Sequence, residues 1–264
     1  MNKSLLNVEN LTMKFGGLVA IDNLSFSAND KEITSIIGPN GAGKTTVFNC
    51  LTGFYKPTDG EMYLRKNDQN ISLKKFTDYK IAYKAKVART FQNIRLFPAM
   101  SVLENLLVAQ HNELMIASGY SIFGILNLKR YKDKEKKAID KAKYWLDIIG
   151  LTNRADDNAG DLPYGDQRKL EIVRAMCIEP RLLCLDEPAA GLNPKESSEL
   201  NNLLEFIKND KKTGILLIEH EMSVVMGISD HVVVLNYGKK IFQGSPSQTR
   251  KSKEVIEAYL GVEE

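Results

Sequence analysis

The residues Gly38-Pro39-Asn40-Gly41-Ala42-Gly43-Lys44-Thr45 fit the spacing G-x-x-x-x-G-K-[ST] at every fixed position. Glycines at these positions let successive backbone N–H groups turn inward around an anion, and a helix starting beside Lys44 adds its positive dipole end. Lys44 supplies a compact charge for the outer phosphates of a nucleotide, the Thr45 hydroxyl suits Mg²⁺, and Thr46 adds a hydroxyl for the α-phosphate. Further along, Leu182-Leu183-Cys184-Leu185 ends in Asp186 and Glu187. Neighbouring side chains on a strand point to opposite sides, so the two carboxylates can take different work. Asp186 suits a water-mediated hold on Mg²⁺, and Glu187 suits polarisation of the water that attacks a γ-phosphate. A lone Asp-Glu pair reads as a core strand surfacing into a charged turn. Pairing with the glycine loop points instead to hydrolysis of a nucleoside triphosphate.

These groups need a frame. Ile33–Ile37 is a buried-strand run, the glycine loop follows, and Thr45–Leu51 opens a helix, which is the start of an α/β unit. Before it, Leu6–Phe26 alternates apolar and polar residues, broken at Gly16–Gly17 and Asp22–Asn23, and reads as short antiparallel strands with turns. Strands return at Arg181–Asp186, Gly214–Glu219 and His231–Asn236, the first two as continuous apolar runs separated by a helical stretch over Lys195–Lys208. That pattern suits parallel strands covered on both faces. A hairpin is expected at Tyr237–Gly238. Between these blocks Val102–Leu114 and Lys132–Ile149 show helical spacing, with Ala138, Ala142, Trp145 and Ile149 on one side. Residues 95–161 therefore read as a helical insertion, dividing an α/β core of 1–94 and 162–264.

Composition narrows the classes. Hydrophobic residues at 43% and charged ones at 26% fit a folded chain rather than a disordered one. A net charge of +3 is too mild for the basic stripe of a nucleic-acid binder. Three scattered cysteines, Cys50, Cys177 and Cys184, suit a reducing compartment and a core role. The opening MNKSLLNVENLTMKF lacks the apolar centre of a signal peptide. The longest uncharged stretch, Leu114–Leu128, carries Ser, Gly, Tyr and Asn and falls short of the roughly 20 apolar residues a span needs. It reads as padding of the insertion. The basic run Arg130–Lys143 reads as a solvated helical face.

With these pieces in order, the chain resembles the ATP-binding subunits of ABC transporters over essentially its whole length. LPYGDQRKLEIVRAM (Leu162–Met176) stands where that family keeps its signature, RTFQNIRLFPAMSVLENL (Arg89–Leu106) resembles its Q-loop with Gln92, AAGLNP (Ala189–Pro194) its D-loop, and LLIEHEM (Leu216–Met222) its His switch with His220. KFGG places Phe15 where the family stacks an aromatic ring on adenine. The wording TFQNIRLF, LPYG, DEPAAGLNP and IEHEM is most similar to the LivG-like branch, which serves high-affinity branched-chain amino acid uptake.

The resemblance implies a P-loop NTPase (RecA-like) α/β core, an N-terminal antiparallel β subdomain and a helical insertion subdomain. It implies ATP and Mg²⁺, the metal held by Thr45, Gln92 and Asp186, with Glu187, His220 and Lys44 catalytic. It also implies a head-to-tail pair with a second ABC ATPase subunit, paralogue or self. There Leu162, Tyr164, Gly165, Asp166 and Gln167 would face the partner's ATP. Integral membrane permease subunits, an indirectly coupled solute-binding protein, no nucleic acid and a peripheral place on the cytoplasmic face of the inner membrane complete the expectation. Pro163 departs from the family's Ser, losing a hydroxyl and an N–H, and Asn193 stands where Asp is common. The alternatives are a lipopolysaccharide-export-type ATPase and a soluble ABC ATPase acting on ribosomes or DNA. A GTPase switch is disfavoured, because nothing reads N-K-x-D.

Overall fold

The computed structural model describes residues 4–66, 69–77, 80–111 and 129–260; the stretch Leu114–Leu128 lies outside them. Contacts divide the chain into two units, Met1–Gln92 with Pro180–Glu264, and Asn93–Glu179.

The first unit holds two sheets. β1 (Leu6–Phe15), β2 (Leu18–Ala28), β4 (Asp59–Lys66) and β5 (Gln69–Ser72) form an antiparallel sheet in the order β2-β1-β4-β5. The glycine pair Gly16–Gly17 turns β1 into β2, as expected. Asp22–Asn23 does not break the strand: β2 continues through it, Asn23 takes a left-handed backbone (φ 53°) and the register with β1 slips there. Asn tolerates that conformation better than most residues, so the result is a bulge rather than a turn.

The second sheet runs β10-β9-β3-β8-β7-β6, from β3 (Ile33–Ile37), β6 (Val87–Arg89), β7 (Leu182–Asp186), β8 (Gly214–Ile218), β9 (His231–Asn236) and β10 (Lys239–Gly244). β6, β7, β8, β3 and β9 are mutually parallel, and β10 returns antiparallel through the expected hairpin. Every residue of β3, β7 and β8 is buried, which is why their sequences are unbroken apolar runs. Sequence order and spatial order differ here. β8 sits between β3 and β7, so the chain leaving β3, β7 and β8 emerges side by side at one edge of the sheet. Open α/β sheets bind their ligands at that carboxyl edge.

The second unit is helical, with α2 (Val102–Val108), Lys129–Ile148 and Tyr164–Met176. Ala138, Ala142, Trp145 and Ile149 are all buried, matching the spacing read from sequence, while residues 132–137 of the basic run are exposed. The sequence reading ended the insertion at 161, whereas contacts group residues up to 179 with it. The reason lies in the helix Tyr164–Met176. Its buried Glu171 accepts the Arg95 N–H at 2.9 Å, and its Arg174 guanidinium lies 5.8 Å from the Phe97 ring centre. Glu171 also pairs with the fully buried Arg168 at 3.0 Å.

The three cysteines are free and buried, and burial pushes the Cys184 thiol up to about 12. Leu183, in the middle of β7 and wholly enclosed, measures the weight of this sheet. Leu183→Ala is expected to cost about 2–5 kcal/mol in denaturant unfolding; a loss well under 1 kcal/mol would contradict a close-packed central strand.

Candidate active site

The glycine loop leaves β3 and enters α1 (Lys44–Leu51). A Cβ on Gly38 would meet the Leu235 carbonyl at 2.1 Å, and one on Gly43 would meet the Ala20 carbonyl at 2.7 Å. Gly43 also adopts φ 98°, a left-handed backbone that side chains disfavour. Only glycine fits at either place. The loop is closed by the Ala42 N–H donating to the Pro39 carbonyl at 3.1 Å, and is tied to the β9–β10 hairpin by the Gly238 N–H donating to the Ala42 carbonyl at 3.1 Å.

Lys44 is 8% exposed, and its Nζ donates to the Gly38 carbonyl at 2.7 Å and the Pro39 carbonyl at 3.0 Å. Burial lowers its ammonium below the usual lysine range, while the charges of Glu187 and Asp186 pull it back up. A desolvated cation resting on two neutral carbonyls is a strong attractor for an anion. A cleft of about 460 Å³ opens beside it, lined by Asn40, Gly41, Ala42, Gly43, Lys44, Thr45, Thr46 and Glu187 together with Phe15, Leu18, Val19, Ala20, Tyr237 and Gly238. Phe15 packs edge-on against Tyr55, ring centres 5.2 Å apart.

At the end of β7 the two carboxylates separate, Asp186 as the last strand residue and Glu187 just beyond it. Asp186 is 6% exposed and its Oδ2 accepts from Arg89 at 2.9 Å. Arg89 also donates to Asn49 Oδ1 at 2.6 Å and Thr52 Oγ1 at 3.2 Å, and lies over the rings of Phe48, Phe54 and Phe91. It binds β6, β7 and α1 through one buried guanidinium.

Glu187, at the cleft, holds a left-handed backbone at φ 47°, costly for this residue type and fixed by its N–H donating to the Ile218 carbonyl at 2.9 Å. Its Oε2 accepts from Gln92 Nε2 at 2.8 Å and lies 3.5 Å from His220 Nδ1. The fold thus brings together Lys44, Asp186, Glu187, Gln92 and His220, which are spread over nearly the whole chain. Arg89, Asn49, Leu18, Val19 and Tyr237 escaped the sequence reading, since alone they look like ordinary core or surface residues.

A profile of the ABC transporter family matches residues 21–190, over the loop and the acidic strand. The chain belongs to the ABC transporter family. It is 51% identical to the high-affinity branched-chain amino acid transport ATP-binding protein LivG of Escherichia coli (strain K12), over 99% of both chains. It is 47% identical to the corresponding protein BraF of Pseudomonas aeruginosa, again over 99% of both. Among solved structures it is similar to MJ1267, an ATP-binding cassette of an ABC transporter in its ADP conformation. The TM-score there is 0.82 at 31% identity, over 98% of this chain and 99% of that one.

Both departures from the family pattern stand at helix N-caps. Asn193 caps the helix Pro194–Asp210, its Oδ1 accepting from the Lys195 and Glu196 N–H groups at 3.0 Å, with Glu196 closing the capping box. Pro163 occupies the cap position of Tyr164–Met176 without a side-chain cap. There Asp166 pairs with Lys169 at 2.9 Å, the Tyr164 hydroxyl accepts from Arg168 at 3.0 Å, and Gln167 donates to the Leu162 carbonyl at 2.8 Å. Gly165 is buried.

The paired burial of Arg89 and Asp186 gives a direct test. Arg89→Leu strands a buried carboxylate and is expected to cost about 3–5 kcal/mol of stability. In chemical denaturation Arg89→Leu/Asp186→Leu should be the less damaged protein. Equal damage in single and double variants would contradict the pairing.

Proposed function

We propose that this chain is the ATP-hydrolysing subunit of a membrane importer for branched-chain amino acids. The chemistry rests on one observation, the approach of Gln92 and His220 to Glu187 Oε2, one residue from Asp186 and beside the Lys44 loop. The solute class rests on the likeness to LivG and BraF over the whole chain.

In this reading a triphosphate displaces the Gly38 and Pro39 carbonyls as the partner of Lys44 Nζ. The N–H groups of Asn40, Gly41 and Gly43 and the start of α1 hold the β-phosphate, Thr46 takes the α-phosphate, and the base lies against Phe15. Glu187 orients and polarises the attacking water. His220 and Gln92, already on Glu187, hold that carboxylate and reach the γ-phosphate.

Among the described residues no group of three or more His, Cys, Asp and Glu could hold a metal ion. Thr45, Asp186 and Gln92 would offer hydroxyl, carboxylate and amide oxygens, a hard donor set that fits Mg²⁺. Bound there, Mg²⁺ would supply positive charge against that developing on the phosphates. Gln92 is the last residue of the first unit, which suits it to relay the state of the γ-phosphate to the helical insertion, 95–161.

No helix among the described residues is long and apolar enough to cross a membrane. In this reading the motor acts on other chains. We read these as permease subunits and a second cassette, paralogue or self, with a solute-binding protein coupled through the permease. The chain would sit peripherally on the cytoplasmic face of the membrane. In a head-to-tail pair, Leu162, Tyr164, Gly165, Asp166 and Gln167 present a helix N-terminus to the partner's ATP. Closure on ATP and opening after hydrolysis is a ligand-driven population shift.

Glu187→Gln is expected to lower turnover about 10²- to 10⁴-fold and to retain ATP in a closed pair, read by phosphate release and light scattering. Wild-type turnover in that variant would contradict Glu187 as the base. Cells lacking the chain should lose high-affinity uptake of leucine, isoleucine and valine; unchanged uptake would contradict the solute class.

A further inference from the structure

Glu219 has no part in the reaction scheme above, yet it is wholly buried, more so than Asp186. Its Oε1 accepts the Ala189 N–H at 2.9 Å and its Oε2 accepts the His220 N–H at 3.2 Å, with the Glu221 N–H a further donor. Burial pushes the carboxyl up and the three backbone donors pull it back. Ala189 follows Glu187 by two residues, in a turn closed by the Ala190 N–H donating to the Glu187 carbonyl at 3.2 Å. Glu187 itself donates its N–H to the Ile218 carbonyl at 2.9 Å. The chain leaving β7 and the chain leaving β8 are therefore joined twice, once by a backbone bond and once by the Glu219 side chain.

We infer that Glu219 is a positioning residue that locks the His220 loop to the Glu187–Ala190 turn, setting the distance between imidazole and carboxylate. The chemistry asks for glutamate. A carboxylate accepts on both oxygens and brings no donor, matching N–H groups that arrive from two loops. Glutamine would turn an NH₂ toward one of those donors, and aspartate is a methylene too short to serve both. An unpaired buried N–H is costly, so either change frees one loop from the other. The lock reaches further than His220. Ala189 opens the segment Ala189–Asn193 that runs into the helix cap at Asn193, so the same carboxylate links His220 to that segment.

The inference rests on the ATPase reading, and its test is built to fail separately. Wild type, Glu219→Gln and Glu219→Asp are compared for kcat, KM and ATP affinity, and Glu219→Gln is repeated in a His220→Ala background. Glu219→Gln is expected to lower kcat about 10- to 100-fold by misplacing the imidazole, with the ATP dissociation constant unchanged. The same change should add no further loss once His220 is gone. Amide hydrogen exchange should rise together in 187–190 and 218–221 of Glu219→Gln.

An unchanged kcat, a loss that multiplies with His220→Ala, or a loss of ATP binding overturns the positioning role. Exchange rising in only one of the two segments overturns the lock itself, and that readout needs no turnover. A wild-type complex with its partner cassette that does not hydrolyse ATP overturns the ATPase reading instead.

Discussion

Two carbonyls leave the glycine loop no choice. Leu235 of β9 and Ala20 of β2 stand where side chains on Gly38 and Gly43 would have to go. The hairpin glycine Gly238 is pressed against the same Ala20 carbonyl at 2.7 Å from its own would-be Cβ. Backbone from both sheets is thus packed against the loop, joined at Gly43 by the Ile21 side chain, and Lys44 turns inward onto the loop's own oxygens. A cation desolvated in this way gains a charged partner when its ammonium leaves these two neutral oxygens for a phosphate.

The rest of the site follows from sheet order. Because β8 separates β3 from β7, the groups leaving β7 and β8 meet: Glu187 with His220 by side chain, and Glu187 with Ile218 by backbone. β6 lies on the far side of β7 and delivers Arg89 to Asp186 and Gln92 to Glu187. One short segment therefore holds both carboxylates, one by a buried ion pair and one by an amide. Two buried carboxylates sit in ion pairs, Asp186 with Arg89 in the first unit and Glu171 with Arg168 in the second. Pairs of this kind add little net stability but are damaging to break.

The loop, the acidic strand and β8 were legible because their signals are local: fixed glycine spacing and unbroken apolar runs. The helical spacing of Ala138, Ala142 and Trp145 was legible for the same reason. β6 was not, since three residues carry no period, and β4 and β5 pass as polar surface. Asp22–Asn23 looked like a turn because its residue types favour one, and tertiary pairing with β1 overrode them. That Glu171 of the helix Tyr164–Met176 binds the backbone of Arg95 was not legible, because the two residues lie far apart in the chain. Arg89 and Glu219 were invisible in a stronger sense. A buried arginine or glutamate has meaning only through its partners, and these sit 97 and 30 residues away.

Every step of the reaction depends on a triphosphate being gripped by this loop through Lys44. Calorimetric titration of Mg·ATP into the purified chain and into Lys44→Met tests it most directly. Wild type should show saturable binding of one nucleotide per chain below millimolar. Lys44→Met should bind about tenfold more weakly or worse, the scale of one lost charged contact. Equal affinity in the two proteins, or no saturable binding to wild type at millimolar ATP, would contradict it.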